Sequence, residues 1–130
     1  MSDKHHLAAL QLAIMHVLWE RGEATVAEVR DALAETRPLA YTTIGTMLAK
    51  MERNGQVRHR TRERVNVYRA CVEQEQVNRS MVGDLAVRLF GGDVAEMVSH
   101  LLDGSEVSPE ELRRLKKLIR DKEWKIKDAD

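Results

Sequence analysis

The chain has 130 residues, room for one typical domain or two very small ones, and its 21 basic and 21 acidic side chains cancel to a formal net charge of zero. Its apolar fraction of 43% suits a folded protein, and no apolar run is long enough to span a bilayer, which excludes membrane insertion through a helix. One cysteine, Cys71, excludes an internal disulfide framework, and the opening MSDKHHLAAL lacks a basic segment followed by an apolar one, so no signal peptide is read and a cytoplasmic protein is expected.

The charges are unevenly spread. Between residues 37 and 69 stand Arg37, Lys50, Arg53, Arg58, Arg60, Arg62, Arg64 and Arg69, opposed only by Glu52 and Glu63. Beyond Cys71 the acidic residues prevail. A basic module followed by an acidic one suggests two jobs, the first directed at an anionic partner.

In chain order, Leu7, Leu10, Ile14, Val17 and Leu18 recur every three or four residues and predict an amphipathic helix that stops at Gly22. Thr25 and Glu28 form a capping box for a second helix with Val26, Val29 and Leu33 on its apolar stripe. Pro38 cannot lie inside a helix, so the third begins after it and runs from Tyr41 to Arg53, with Ile44, Met47, Leu48 and Met51 inward and Asn54-Gly55 closing it. The period then changes from helical to alternating. QVRHRTRERVNVYRA predicts two short strands with a turn near residues 62–64, Val65 and Val67 on one face and Asn66 and Tyr68 on the other. Three helices and a hairpin in this order describe a winged helix-turn-helix over residues 1–72.

The remainder, 73–130, reads as three short helices. The first carries Val82, Leu85, Ala86, Leu89 and Phe90 and is broken by Gly91-Gly92; the second carries Val94, Met97, Val98, Leu101 and Leu102. The third starts at Ser108, Pro109 and Glu111, a strong N-terminal signal, and carries Leu112, Leu115 and Ile119. Three such stripes lack a fourth wall. A second copy of the segment would supply it, so these residues are expected to form a homodimer. The fold class is therefore mostly α with a small β-hairpin, a winged helix-turn-helix followed by a helical dimerisation domain.

In a helix-turn-helix the second helix of the pair enters the major groove with its N-terminal residues nearest the bases. That places Ala40, Tyr41, Thr42, Thr43 and Thr46 at DNA, with Lys50 a turn further on against a phosphate. One of Thr42 and Thr43 is expected to cap the helix instead. Arg60, Arg62 and Arg64 would stand on the wing against the flanking backbone or minor groove. Other chemistry is sparse. The five histidines show no metal-ligand spacing, there is no glycine-rich phosphate loop or nucleophile motif, and neither a cofactor, a metal nor catalysis is expected. His16 is read as a boundary residue and Cys71 as a buried or half-buried thiol at a strand end. Trp19 is expected under the wing, and Trp124 either anchored across the dimer or exposed.

The segments LQLAIMHVLWERGEATVAEVRDAL, LAYTTIGTMLAKMERNGQV, VYRA, SMVGDLAVRLFGG and VSPEEL together resemble the penicillinase-repressor family of bacterial regulators (the BlaI/MecI/CopY group) over nearly the whole chain. The resemblance implies a homodimeric winged-helix repressor on a pseudo-palindromic operator of double-stranded DNA, displaced by a signal. In members controlling β-lactam resistance a membrane sensor protease cuts an Asn-Phe bond in the dimerisation domain. The matching place here is His100-Leu101, a different bond, which argues against cleavage at this position; a membrane sensor protease or another inducer-linked protein stays as the candidate partner, and release by proteolysis, by a ligand, by oxidation or by a partner protein is left open. Copper-responsive members carry C-x-C pairs near the C-terminus, and this chain has none. The expectation is thus a DNA-binding repressor; the competing one is a winged-helix adaptor that docks a protein, since fold alone does not fix function.

Overall fold

The computed structural model describes residues 4–129. Its elements run α1 (Ala9–Arg21), β1 (Ala24–Thr25), α2 (Val26–Leu33), α3 (Tyr41–Arg53), β2 (Val57–Arg62), β3 (Val65–Ala70), α4 (Gln74–Phe90), α5 (Val94–Gly104) and α6 (Pro109–Ala129). They form two compact units, Met1–Leu85 and Ala86–Asp130.

In the first unit, α1 buries Ile14, Met15, Val17 and Leu18 and ends at Gly22, whose φ of 85° puts it in the left-handed region that glycine enters without a Cβ clash. Thr25 caps α2 as expected: its hydroxyl accepts from the Glu28 backbone N–H at 3.1 Å, and its own N–H donates to the Glu28 carboxylate at 2.9 Å. Ile44, Leu48 and Met51 of α3 are fully buried against α1 and α2, and Met47 packs at the edge of the same core. Gly55, with φ of 78°, releases the chain into β2.

The sheet has three antiparallel strands in the order β1-β3-β2, one more than the hairpin expected. β1 is only two residues long and pairs Ala24 with Tyr68 and Thr25 with Val67. In the hairpin, Val57 faces Ala70, Arg58 faces Arg69, His59 faces Tyr68 and Arg60 faces Val67. Because side chains alternate, Val57, Tyr68 and Ala24 lie on the core side, while the arginines, Val65 and Val67 lie on the other. A two-residue turn, Glu63-Arg64, joins the strands, with both φ values positive at 52° and 68°. Trp19 does sit against the end of the wing: its indole N–H donates to the Val72 carbonyl at 2.9 Å, and its ring meets His16 edge-on at 5.4 Å.

The first unit continues past residue 72 into α4, because Val77 is fully buried and Met81 packs on the same core. Two of the three C-terminal helices are longer than expected: α4 has 17 residues and α6 has 21, about 31 Å of helix. Asp93 caps α5 and Ser108 caps α6, each accepting a backbone N–H three residues on at 3.1 Å. Neither α5 nor α6 contains a single buried residue.

Candidate nucleic-acid interface

Helix α3 presents two chemically different sides. Its core side is the Ile44–Leu48–Met51 stripe; Tyr41, Thr42, Thr43, Thr46 and Lys50 are all exposed, as is Ala40 just before the helix. Tyr41 is half exposed, and the Arg30 guanidinium of α2 lies 5.9 Å from its ring centre, so the ring is steadied by a cation at the entrance to the helix.

The first turn of α3 is open. Where α2, α5 and α6 begin with a Thr, Asp or Ser that accepts a backbone N–H, the residue at the start of α3 is Ala40 and no side chain caps it. Thr42 and Thr43 therefore do not cap the helix, contrary to expectation, because they lie one and two residues inside it. With no side-chain cap at Ala40, the leading N–H groups of α3 and the helix dipole favour an anion there. Gly45 faces α2: a Cβ at this position would meet Val26 at 3.9 Å, an ordinary contact.

The wing departs from the picture of free arginines. Arg60 donates to both carboxylate oxygens of Glu23 at 3.0 and 3.2 Å, and Arg62 donates to Glu23 Oε1 at 2.9 Å. The Arg60 hydrogen bond above all, joined by the charges of Arg60 and Arg62, holds the Glu23 carboxyl below the usual carboxylate range. Arg64 occupies the hairpin tip and is exposed. On the core side, His59 Nδ1 lies 2.6 Å from Glu52 Oε1 and ties the wing to the end of α3.

Glu23, Arg58 and Arg69 are the charged residues that the sequence reading left out of the site. They line, with His59, Arg60 and Val67, a cavity of about 390 Å³ at the outer face of the sheet. The alternation of Arg58, Arg60 and Arg62 could have drawn attention to Arg58; nothing local links Glu23 to arginines some forty residues away. Cys71 is exposed, not buried, because the strand has ended and the next residue, Val72, turns into the core instead. Among the described residues no cluster of His, Cys, Asp or Glu could hold a metal ion, and no helix is long and apolar enough to cross a membrane.

In the second unit, Val82 and Leu85, just before it, and Leu89, Val94, Leu101, Leu102, Leu112 and Ile119 are exposed, and Phe90, Met97, Val98 and Leu115 are half-buried. The His100-Leu101 bond lies inside α5, with the His100 ring 5.1 Å from Phe90. Trp124 is 70% exposed.

Comparison with known proteins places this geometry. The chain is 26% identical over 109 residues to the penicillinase repressor of Bacillus licheniformis, covering 84% of this chain and 85% of that protein. It is 40% identical over 58 residues to the transcriptional regulator BlaI of Mycobacterium tuberculosis, covering 44% of this chain and 42% of that one. The solution structure of the DNA-binding domain of the repressor BlaI aligns at 26% identity and a TM-score of 0.51, over 58% of this chain and 93% of that domain. The hsRosR-SG complex structure covers 93% of this chain and 96% of its own at 18% identity and a TM-score of 0.54, a likeness of fold alone. The family model for the penicillinase repressor matches residues 7–121, from the approach to α1 into the body of α6, and the chain belongs to that family.

Proposed function

We propose that this protein is a sequence-specific transcriptional repressor that binds a pseudo-palindromic operator as a homodimer. The observation that carries the reading is the open, hydroxyl-rich end of α3: three threonines, a tyrosine and uncapped backbone donors are exposed together, beside a wing loaded with arginine. Helix α3 enters the major groove by that end; Thr42, Thr43 and Thr46 offer hydroxyls to base edges or phosphates and methyls to thymine, and Lys50 takes a phosphate. Arg64, Arg60 and Arg62 meet the flanking backbone. Membership of the penicillinase repressor family supports the same reading.

A second copy completes the C-terminal unit. Helices α5 and α6 bury no residue of their own, and between them lies an apolar cavity of about 470 Å³ lined by Val98, Leu102, Leu112, Leu115, Ile119 and Ile126. Leu112, Leu115, Ile119 and Ile126 follow a seven-residue seam, the spacing by which one helix packs against another of its kind. So small an apolar unit has no stable existence with its stripes in water. Two recognition helices then reach half-sites about one helical turn, or a small multiple, apart. Repression follows from occupying a promoter and ends when a signal displaces the dimer.

Thr43→Ala and Thr46→Ala test the assignment when titrated against the upstream intergenic DNA and single-base variants of it. Each variant is expected to lose about 1–3 kcal/mol of discrimination at one or two base pairs while keeping its affinity for scrambled DNA. Wild-type discrimination by both variants would refute the recognition surface.

A further inference from the structure

The outer face of the sheet is more highly charged than a wing needs merely to stay in solution. Arg58, Arg60 and Arg62 fall on alternate positions of β2 and so share one face, and the register sets Arg69 directly across from Arg58. Like charges placed opposite each other weaken a sheet. Among the described residues Glu23 alone forms ion pairs with them, reaching Arg60 and Arg62 but not Arg58 or Arg69, while Glu28 acts on Arg62 by charge alone. Val67 is 4% exposed, stands apart from the main hydrophobic cluster, and lines the cavity on the face that carries the arginines. Arg58, Arg60 and Arg69 line the cradle with the Glu23 carboxylate and Val67, and Arg62 joins it through its bond to Glu23, which leaves Arg58 and Arg69 without an ion-pair partner among the described residues.

A guanidinium fork fits a carboxylate and a phosphate by the same paired geometry. In the free protein the Glu23 carboxylate takes the place that such an oxyanion would occupy on Arg60 and Arg62. We propose that this outer cradle is a phosphodiester-binding site for the DNA backbone and that Glu23 is its built-in competitor, which must yield Arg60 and Arg62 before they can take up phosphates. Arg58 and Arg69 complete the site beyond the wing residues already assigned. The proposal rests on the reading of the chain as a DNA-binding protein and adds to it a residue that restrains affinity. Glu23 limits how strongly the wing grips any duplex, so that the contacts of α3 contribute a larger share of the discrimination.

The test compares full-length wild type, Glu23→Gln, Arg60→Gln/Arg62→Gln and the triple variant on one scrambled 20-base-pair duplex at several salt concentrations. Circular dichroism confirms that each remains folded. Glu23→Gln is expected to bind the scrambled duplex roughly tenfold more tightly at low salt, with the logarithmic salt slope steeper by about 0.9, one more phosphate neutralised. In the Arg60→Gln/Arg62→Gln background the same change is expected to have little effect, because nothing is left to compete for. Unchanged binding by Glu23→Gln would overturn the proposal. An equal gain in both backgrounds would also overturn it, since a carboxylate would then act only by general repulsion. So would a gain on poly-glutamate without one on DNA, which would make the cradle a site for an acidic protein. Preference of the wild type for upstream over scrambled DNA is a separate readout: its absence would defeat the repressor reading while the four-variant comparison still decides the role of Glu23.

Discussion

The hairpin tip offers a perturbation whose size can be worked from backbone angles. Glu63 and Arg64 form a two-residue turn with φ of 52° and 68°, the mirror-image turn that normally calls for Asn-Gly. Holding an ordinary L-residue in the left-handed region costs about 1–2 kcal/mol, and glycine escapes that cost but loses about 0.5–1 kcal/mol through its freer unfolded chain. Arg64→Gly should therefore gain about 0.5–1 kcal/mol, and Glu63→Asn a smaller amount, since asparagine tolerates this region better. Together they should stabilise the first unit by about 1–1.5 kcal/mol, which in a domain of this size raises Tm by roughly 5–10 °C. Melting followed by Trp19 fluorescence in a Trp124→Phe background reports on this unit, because the Trp19 indole is bonded to Val72 at the end of the wing. Arg64→Gly alone, which removes one cation from the wing, should at the same time flatten the salt slope of DNA binding by about 0.9. Stability bought at the expense of binding would explain why arginine stands where glycine fits better. An unchanged or lower Tm would refute the argument that this turn is strained.

Gly45→Ala should raise stability by about 0.5–1 kcal/mol in urea denaturation, since the added methyl meets Val26 at an ordinary distance and removes a helix-interior glycine; a loss would mean that α2 and α3 pack too tightly for it. Ile119→Asp should convert the protein to a monomer in sedimentation equilibrium while Trp19-detected melting of the first unit is kept; an unchanged mass would place the dimer contact elsewhere. The Glu28 carboxyl is held below its usual range first by the Thr25 backbone N–H and then by the Thr25 hydroxyl. Its folded-state pKa is thus below the unfolded one, so its contribution is present at neutral pH and is lost as pH falls through the folded value; Glu28→Gln should flatten the acid limb of the stability curve below the ordinary carboxylate range. Cys71, being exposed, should react with a thiol reagent at one equivalent per chain in native buffer, and protection until denaturant is added would contradict its placement.

What could be read in the sequence was set by local punctuation. Helix α3 begins and ends at the residues expected because Pro38 bars an earlier start and Gly55 supplies the left-handed exit. The Ser108-Pro109-Glu111 start of α6 and the Thr25-Glu28 box of α2 are equally local, and both form. Strand β1 was not legible, because two residues carry no period and exist as a strand only by pairing with β3. For the same reason Glu23, next to that strand, gave no sign of its bond to Arg60 and Arg62. The valines of β3 illustrate a further limit: alternation correctly separates Val65 and Val67 from Asn66 and Tyr68, but it is Tyr68 that faces the core and Val67 that shares its face with the arginines. Only the third dimension says which face is which.

The central claim is that the exposed end of α3 reads a particular DNA sequence. Fluorescence anisotropy of the purified protein on its own upstream intergenic DNA, against a scrambled duplex of equal length and across a salt series, tests it most directly. Tight binding to the upstream DNA, at least a thousandfold weaker binding to the scrambled duplex, and a steep salt slope for both are expected. Equal and weak binding to the two duplexes, with little dependence on salt, would contradict it and leave the winged helix as a surface for a protein.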